Sequence, residues 1–152
     1  MTLFLSKSNL NEKTCPFCYI NKEKTKIIHS KPLTIVILSN PRLVPGHLLV
    51  IPKRHVEKLS ELTDEEKNEL FDTIIEFQEK ILLKISSGCD IRQNYHPFQK
   101  QSRIKVNHLH VHLIPREFKD EIYQITQIFE KNLFKDLDRP EIEKVLLLLK
   151  ER

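Results

Sequence analysis

The residues best suited to chemistry are His108, His110 and His112, three imidazoles at alternate positions with Leu109, Val111, Leu113 and Ile114 between and after them. In an extended chain a period of two turns all three rings to one face and the aliphatics to the other. On a helix the same offsets scatter the rings around the cylinder, so the pattern predicts a strand over 105–114, ended by Pro115. Three uses of such a row compete. Core burial needs a donor and an acceptor partner for each neutral ring. A shared metal is limited by geometry: a rise of about 3.3 Å per residue sets the outer two residues roughly 13 Å apart, and ligand bonds of about 2 Å then admit two rings but not three. The third use is nucleophilic, with a neutral imidazole attacking a phosphorus centre while its neighbours hold negative charge.

Two further stretches carry chemistry-bearing residues. Cys15-Pro16-Phe17-Cys18 is a Cys-x-x-Cys pair, which by itself fits a redox pair, half of a zinc site or two idle thiols. The strand-to-helix context of a redox motif is absent around it. Pro45-Gly46-His47-Leu48-Leu49-Val50-Ile51-Pro52-Lys53-Arg54-His55 brings two more histidines. Gly46 either permits a backbone conformation that a Cβ forbids, lets a phosphate approach closely, or simply turns the chain. His29 and His96 have no comparable register and read as surface residues.

The elements that must position these residues follow from patterning. Lys26 to Ser30 and Thr34 to Ser39 read as a hairpin, and His47 to Pro52 as a central strand between Pro45-Gly46 and Pro52. Thr63-Asp64-Glu65-Glu66 is a capping box, with Thr63 at N-cap and Glu66 at N3. It opens a helix of about six turns whose stripe, Leu70, Phe71, Ile74, Ile75, Phe77, Ile81, Leu82 and Ile85, reads as core packing, stopped at Ser86-Ser87-Gly88. Cys89 to Tyr95 reads as a strand, with Cys89 a small buried hydrophobe, and His96-Pro97-Phe98 as the loop back to the triad. Asp120 to Leu137 has helical spacing, and Asp138-Arg139-Pro140 restarts a helix ending in the apolar run Val145 to Leu149.

The whole chain sets the outer limits. Its 152 residues suit one core; 39% hydrophobic and 30% charged is ordinary globular composition. No apolar run approaches the roughly 20 residues of a bilayer span, and Met1 to Asn11 lacks the apolar core of a signal peptide. Three cysteines, two of them in one motif, fit a reducing, cytoplasmic setting better than a disulfide framework. The net charge of +4 is scattered, which suits an anionic small molecule and makes nucleic acid an unlikely partner. With two glycines in the chain there is no glycine-rich phosphate loop, so side chains must hold phosphate.

His-x-His-x-His interleaved with aliphatics and followed by Ile114-Pro115-Arg116, the Pro45 to His55 stretch, and Cys15-x-x-Cys18 at the expected distance together resemble the histidine-triad (HIT) family, in its bacterial type with a Cys-x-x-Cys zinc site. The resemblance implies an α+β, HIT-like fold: an antiparallel sheet of about five strands, one main helix on it and C-terminal helices. It divides the chain into a HIT domain, 1–118, and a helical extension, 119–152, packed on the domain or on a dimer partner. It implies a nucleotide hydrolase acting at the α-phosphorus of a nucleoside phosphoramidate or dinucleoside polyphosphate through a nucleotidyl-histidine intermediate. His110 is then the nucleophile, His112 the group that protonates or hydrogen-bonds the leaving group, and His47 lies on the phosphate oxygens. A structural zinc on Cys15, Cys18, His55 and His108 is implied too, as is a homodimer. Asn40 corresponds to a ribose contact, offset by one residue. The Gln-Ser pair and upstream amide that touch the α-phosphate in the family correspond to Gln101, Ser102 and Asn94, each three positions early; either three residues are inserted or Lys105 stands in the hydroxyl's place. Glutamine at the third triad position marks the transferase and phosphorylase branches; His112 favours water as the acceptor over that alternative, and intact histidines favour turnover over a non-catalytic nucleotide-binding module.

Overall fold

A computed structural model of the chain describes residues 14–130 and 133–150. The leader Met1 to Asn11 lies outside the described residues. The chain divides into two compact units, Met1–Glu117 and Phe118–Arg152.

The first unit is an antiparallel five-stranded sheet with one long helix, the α+β architecture expected from the sequence. Strands β1 (Ile27–Ser30), β2 (Thr34–Leu38), β3 (Leu48–Pro52), β4 (Gly88–Gln93) and β5 (Val111–Arg116) lie in the order β1-β2-β3-β5-β4. Helix α1 (Asp64–Lys84) joins β3 to β4. Its start is the capping box: the Thr63 side chain accepts from the Glu66 N–H and the Glu66 carboxylate accepts from the Thr63 N–H. Glu66 also takes the Arg54 guanidinium through both oxygens, at 2.8 and 2.7 Å, which fixes the segment beside His55 to the head of the helix. Further along α1, Glu69 accepts from the Leu33 N–H and the Thr34 hydroxyl, tying the β1–β2 turn down.

The sheet is buried on both faces, for different purposes. On one face Leu70, Ile74, Phe77 and Ile81 of α1 pack on Val36, Leu48, Val50, Val111 and Leu113, each such side chain contributing roughly 1.5–3 kcal/mol by leaving water. On the other, Ile35, Ile37, Leu49 and Ile51 are covered by Phe17 and Ile20 of the Cys-x-x-Cys segment. That second face carries the histidines.

Three expectations are corrected. The triad strand begins at Val111, not 105, and runs through Pro115 to Arg116. Pairing with β3 ends at Leu48↔Leu113, so at Pro115 only β4 lies alongside, and a proline is tolerated where one side needs no donor. Half of the broad apolar stripe on α1 is not core: Phe71, Ile75, Leu82 and Ile85 are exposed, because one sheet face covers only one side of a helix. Cys89 is partly buried against the core, and burial pushes its thiol pKa up.

The second unit holds α2 (Glu121–Glu130) and α3 (Arg139–Lys150). The first is described over Glu121–Glu130, against the expected 120–137, and Asp138 caps α3, its carboxylate accepting from the Glu141 N–H at 2.8 Å. Val145 to Leu149 are exposed. No helix among the described residues is long and apolar enough to cross a membrane.

Candidate functional site: a histidine cluster beside a thiol cluster

Three backbone groups decide which nitrogen of each ring carries a proton. A carbonyl can only accept, so the His110 Nδ1 that lies 2.6 Å from the His108 carbonyl oxygen is the N–H, and its Nε2 keeps the lone pair. The His108 Nε2, 2.8 Å from the Pro52 carbonyl, is likewise the donor, leaving a lone pair on Nδ1. The Leu43 N–H can only donate, so the His47 Nδ1 accepts it at 3.1 Å and the His47 Nε2–H points the other way. It donates to His112 Nδ1 at 2.9 Å, which leaves His112 with its one hydrogen on Nε2. Nucleophilic lone pair and donated hydrogen thus sit on neighbouring rings, His110 and His112, whose centroids are 4.9 Å apart.

Each ring owes its place to a local device. His112 lies in β5 opposite Leu49, on the face away from the α1 core. His108 and His110 precede the strand but are pinned by the Leu109 N–H bonding the Val56 carbonyl at 2.6 Å. Phe17 stacks edge-on against both rings, at 5.8 and 5.2 Å. His47 follows Gly46, whose φ of 82° lies in the left-handed region. A Cβ there would stand 3.2 Å from the Pro115 ring and 3.3 Å from Ile85. The glycine therefore serves chain packing, not the approach of a phosphate.

Burial keeps the cluster neutral. It lowers the His47 pKa to about 4, with Arg92 and His110 adding to the effect. It lowers that of His112 to about 3, with His110, His47 and Arg92 contributing. His110 is lowered by burial as well; the hydrogen bond to the His108 carbonyl opposes this and the Lys105 charge adds to it.

The rings open on a cavity of about 760 Å³. Its walls are Phe17, Ile37, Leu38, Leu49, Ile104 and Val106, with Asn40, Asn94 and Ser102 among the polar groups. Lys24, Arg42 and Arg103 line it and, among the described residues, no Asp or Glu does, so it is an apolar slot with a positive rim, suited to a flat apolar group carrying negative charge. Asn40, Asn94 and Ser102 are therefore at the cavity; Gln101 and Lys105 are not in its wall. Gln101 instead bonds the Thr14 carbonyl and the Asn107 N–H, and the Lys105 ammonium bonds the Asn107 side chain. His47, expected on phosphate oxygens, has both nitrogens engaged within the protein. Sequence reasoning missed the Leu43 amide, the cations Lys24, Arg42 and Arg103, and Arg92. Nothing in a linear reading distinguishes these from ordinary surface groups.

Behind the triad, Cys15, Cys18, His55 and His108 offer ligand atoms that all lie within 4.8 Å of one another. Sulfur to Nδ1 distances are 3.3 Å for Cys15–His108, 3.2 Å for Cys18–His55 and 3.5 Å for Cys18–His108. A tetrahedral zinc with bonds of about 2.3 Å to sulfur and 2.05 Å to nitrogen has S···N edges of about 3.6 Å, so the donor set fits that ion in kind and in spacing. The His55 Nε2 is buried with no partner among the described residues, so the ring's placement answers to its other edge, which faces the thiols. Cys15 and His108 are buried, which suits a closed structural site. Zinc would supply cross-linking there and, through His108, a fixed carbonyl for His110.

Fold and site together define an α+β protein with a triad of histidines on one sheet face and a Cys₂His₂ cluster beneath it. The HIT domain family matches residues 21–119, and the chain belongs to that family. Among its relatives are the asymmetrical bis(5'-nucleosyl)-tetraphosphatase of Schizosaccharomyces pombe, 31% identical over 63% of this chain and 52% of its own, and the adenosine 5'-monophosphoramidase of the same yeast, 31% identical over 68% and 74%. The chain thus spans about half the length of the tetraphosphatase. Among solved structures it resembles a zinc-bound histidine triad family protein from Mycobacterium smegmatis, 25% identical with a TM-score of 0.61 over 72% of this chain and 80% of that one.

Proposed function

We propose that this chain is a nucleotide hydrolase in which His110 attacks the α-phosphorus through Nε2. The observation that carries the reading is the tautomer chain: a lone pair on His110 and a hydrogen on His112, side by side at a cationic cavity. In the first step the P–Nε2 bond forms as the bond from phosphorus to the leaving group breaks, the electron pair going to the leaving atom, which receives the His112 Nε2–H hydrogen bond. In the second, water attacks the nucleotidyl-His110, the P–N bond breaks, a nucleoside monophosphate departs and the water's proton is released. The relatives named above, a tetraphosphatase and a phosphoramidase, support this class of bond.

The remaining roles follow. His47 orients His112 from behind, since its own nitrogens are occupied. Asn40 meets the ribose, and Asn94 and Ser102 meet the α-phosphate from the cavity wall, while Gln101 orders the loop and Lys105 adds positive charge near His110. Zinc on Cys15, Cys18, His55 and His108 is structural. The thiols it needs are not joined in a disulfide, which suits the cytoplasm, and the exposed Phe71, Ile75 and Leu82 offer apolar cover to a second copy in a homodimer. Sedimentation tests that last point.

The direct test is rapid quenching of the protein with a labelled adenylyl substrate. A nucleotide trapped on His110, absent from His110→Asn, is the expected result; turnover by His110→Asn at the native rate removes the reading.

A further inference from the structure

Beyond the cations that line the cavity, the sheet itself places Arg92 on the histidine face, and the reaction proposed above gives it no task. Across the sheet the register sets Ile37, Leu49, His112 and Arg92 in one row, on β2, β3, β5 and β4 in turn. Residues paired directly across antiparallel strands share a face, so Arg92 stands on the histidine side. The first three of the row line the cavity and Arg92 does not. It lies one strand beyond His112, about 5 Å on at the backbone, beside the ring whose Nε2–H meets the leaving atom in the reaction proposed above.

Arg92 also has no carboxylate partner among the described residues, whereas Arg54 is bound by Glu66, Arg116 by Asp90 and Arg139 by Glu143. Asp90, two residues before it and so on the same face of β4, is occupied by Arg116 at 2.5 Å. The charge of Arg92 is nevertheless felt at the active rings, since it contributes to the lowered pKa of both His47 and His112.

We propose that Arg92 is the leaving-group subsite, binding the phosphate chain beyond the scissile bond and selecting nucleotides whose leaving group is an anionic phosphate, as in a dinucleoside polyphosphate. As the anhydride P–O bond breaks, its electron pair goes to the departing phosphate oxygen. Negative charge then grows on a group flanked by the His112 Nε2–H and the guanidinium, which can hold two oxygens at once. His112 suits this substrate. Its Nδ1 already accepts the His47 hydrogen, so it has a single hydrogen to share, enough for a weakly basic phosphate but a poorer match for a departing amine.

This assignment rests on the hydrolase reading, and the experiment separates the two. Wild type, Arg92→Ala and Arg92→Lys are compared for kcat/KM on diadenosine tetraphosphate and on adenosine 5'-phosphoramidate. In Arg92→Ala the ratio of the two values is expected to fall about tenfold or more against the tetraphosphate, as for loss of a charge-assisted hydrogen bond, with partial recovery in Arg92→Lys. A ratio that does not move overturns the proposal, because general damage to the site lowers both substrates together. Calorimetric binding of ATP and AMP in a His110→Asn background reads the same subsite without turnover: adding Arg92→Ala should weaken ATP about tenfold more than AMP, the loss expected for one charge-assisted hydrogen bond. If wild type turns over neither substrate, the hydrolase reading fails, and the ATP to AMP ratio still decides Arg92, equal weakening of both rejecting it.

Discussion

Two groups of histidines share one short stretch of chain and end in opposite circumstances. His110 and His112 have their Nδ1 atoms taken by a backbone carbonyl and a neighbouring ring, so that Nε2 is left for the cavity. His108 has its Nε2 taken by the Pro52 carbonyl, so that Nδ1 is left for two thiols. One side chain type thus presents a lone pair to the cavity, a hydrogen to the cavity or a lone pair to the thiols, according to which nitrogen a fixed neighbour occupies. The two clusters are joined, because the carbonyl that orients His110 belongs to His108.

That contrast is sharpened by removing one member at a time. His110→Asn should cut kcat by at least about a thousandfold while a monophosphate still binds, because the cavity wall and its cations remain; equilibrium dialysis beside a turnover assay checks both halves. Cys18→Ser, or chelation, should do the reverse: a melting temperature lower by roughly 10 °C, from loss of a cross-link worth several kcal/mol, with kcat reduced far less. If the thiol variant loses turnover as completely as His110→Asn, the division between a chemical and a structural cluster is wrong. His47→Gln should slow turnover by about ten- to a hundredfold with little change in KM, since it disturbs the hydrogen on His112 and not the nucleotide.

A smaller effect comes from pH. His47 and His112 have folded pKa values of about 4 and about 3, below the ordinary 6.5. The unfolded chain therefore binds more protons between those values and 6.5, so stability should be complete above about pH 6.5 and fall as pH falls toward 4. Melting curves of wild type and His47→Gln over this range should differ in slope, wild type being the steeper. The smallest expected effect is Gly46→Ala, with a loss of about 1–3 kcal/mol, because the new Cβ meets both an unfavourable φ and the Pro115 and Ile85 side chains. Thermal unfolding measures it.

Much of this was determined by the sequence itself. Alternation at 108 to 113, the Thr63 to Glu66 cap and the proline-bounded run at 47 to 52 each follow from a local period or a local hydrogen bond. They lead directly to the histidine row, the long helix and the central strand. The grouping of Cys15, Cys18, His55 and His108 was reached from the resemblance, since no local rule links residues so far apart. What only the tertiary structure decided depends on neighbours distant in the chain. Which half of the α1 stripe is core is set by the single sheet face that covers it. The proton on each imidazole is set by Leu43, Pro52 and the His108 carbonyl. The task of Arg92 is set by strand order, which lays β4 beside β5 and so places a residue of no local distinction next to His112.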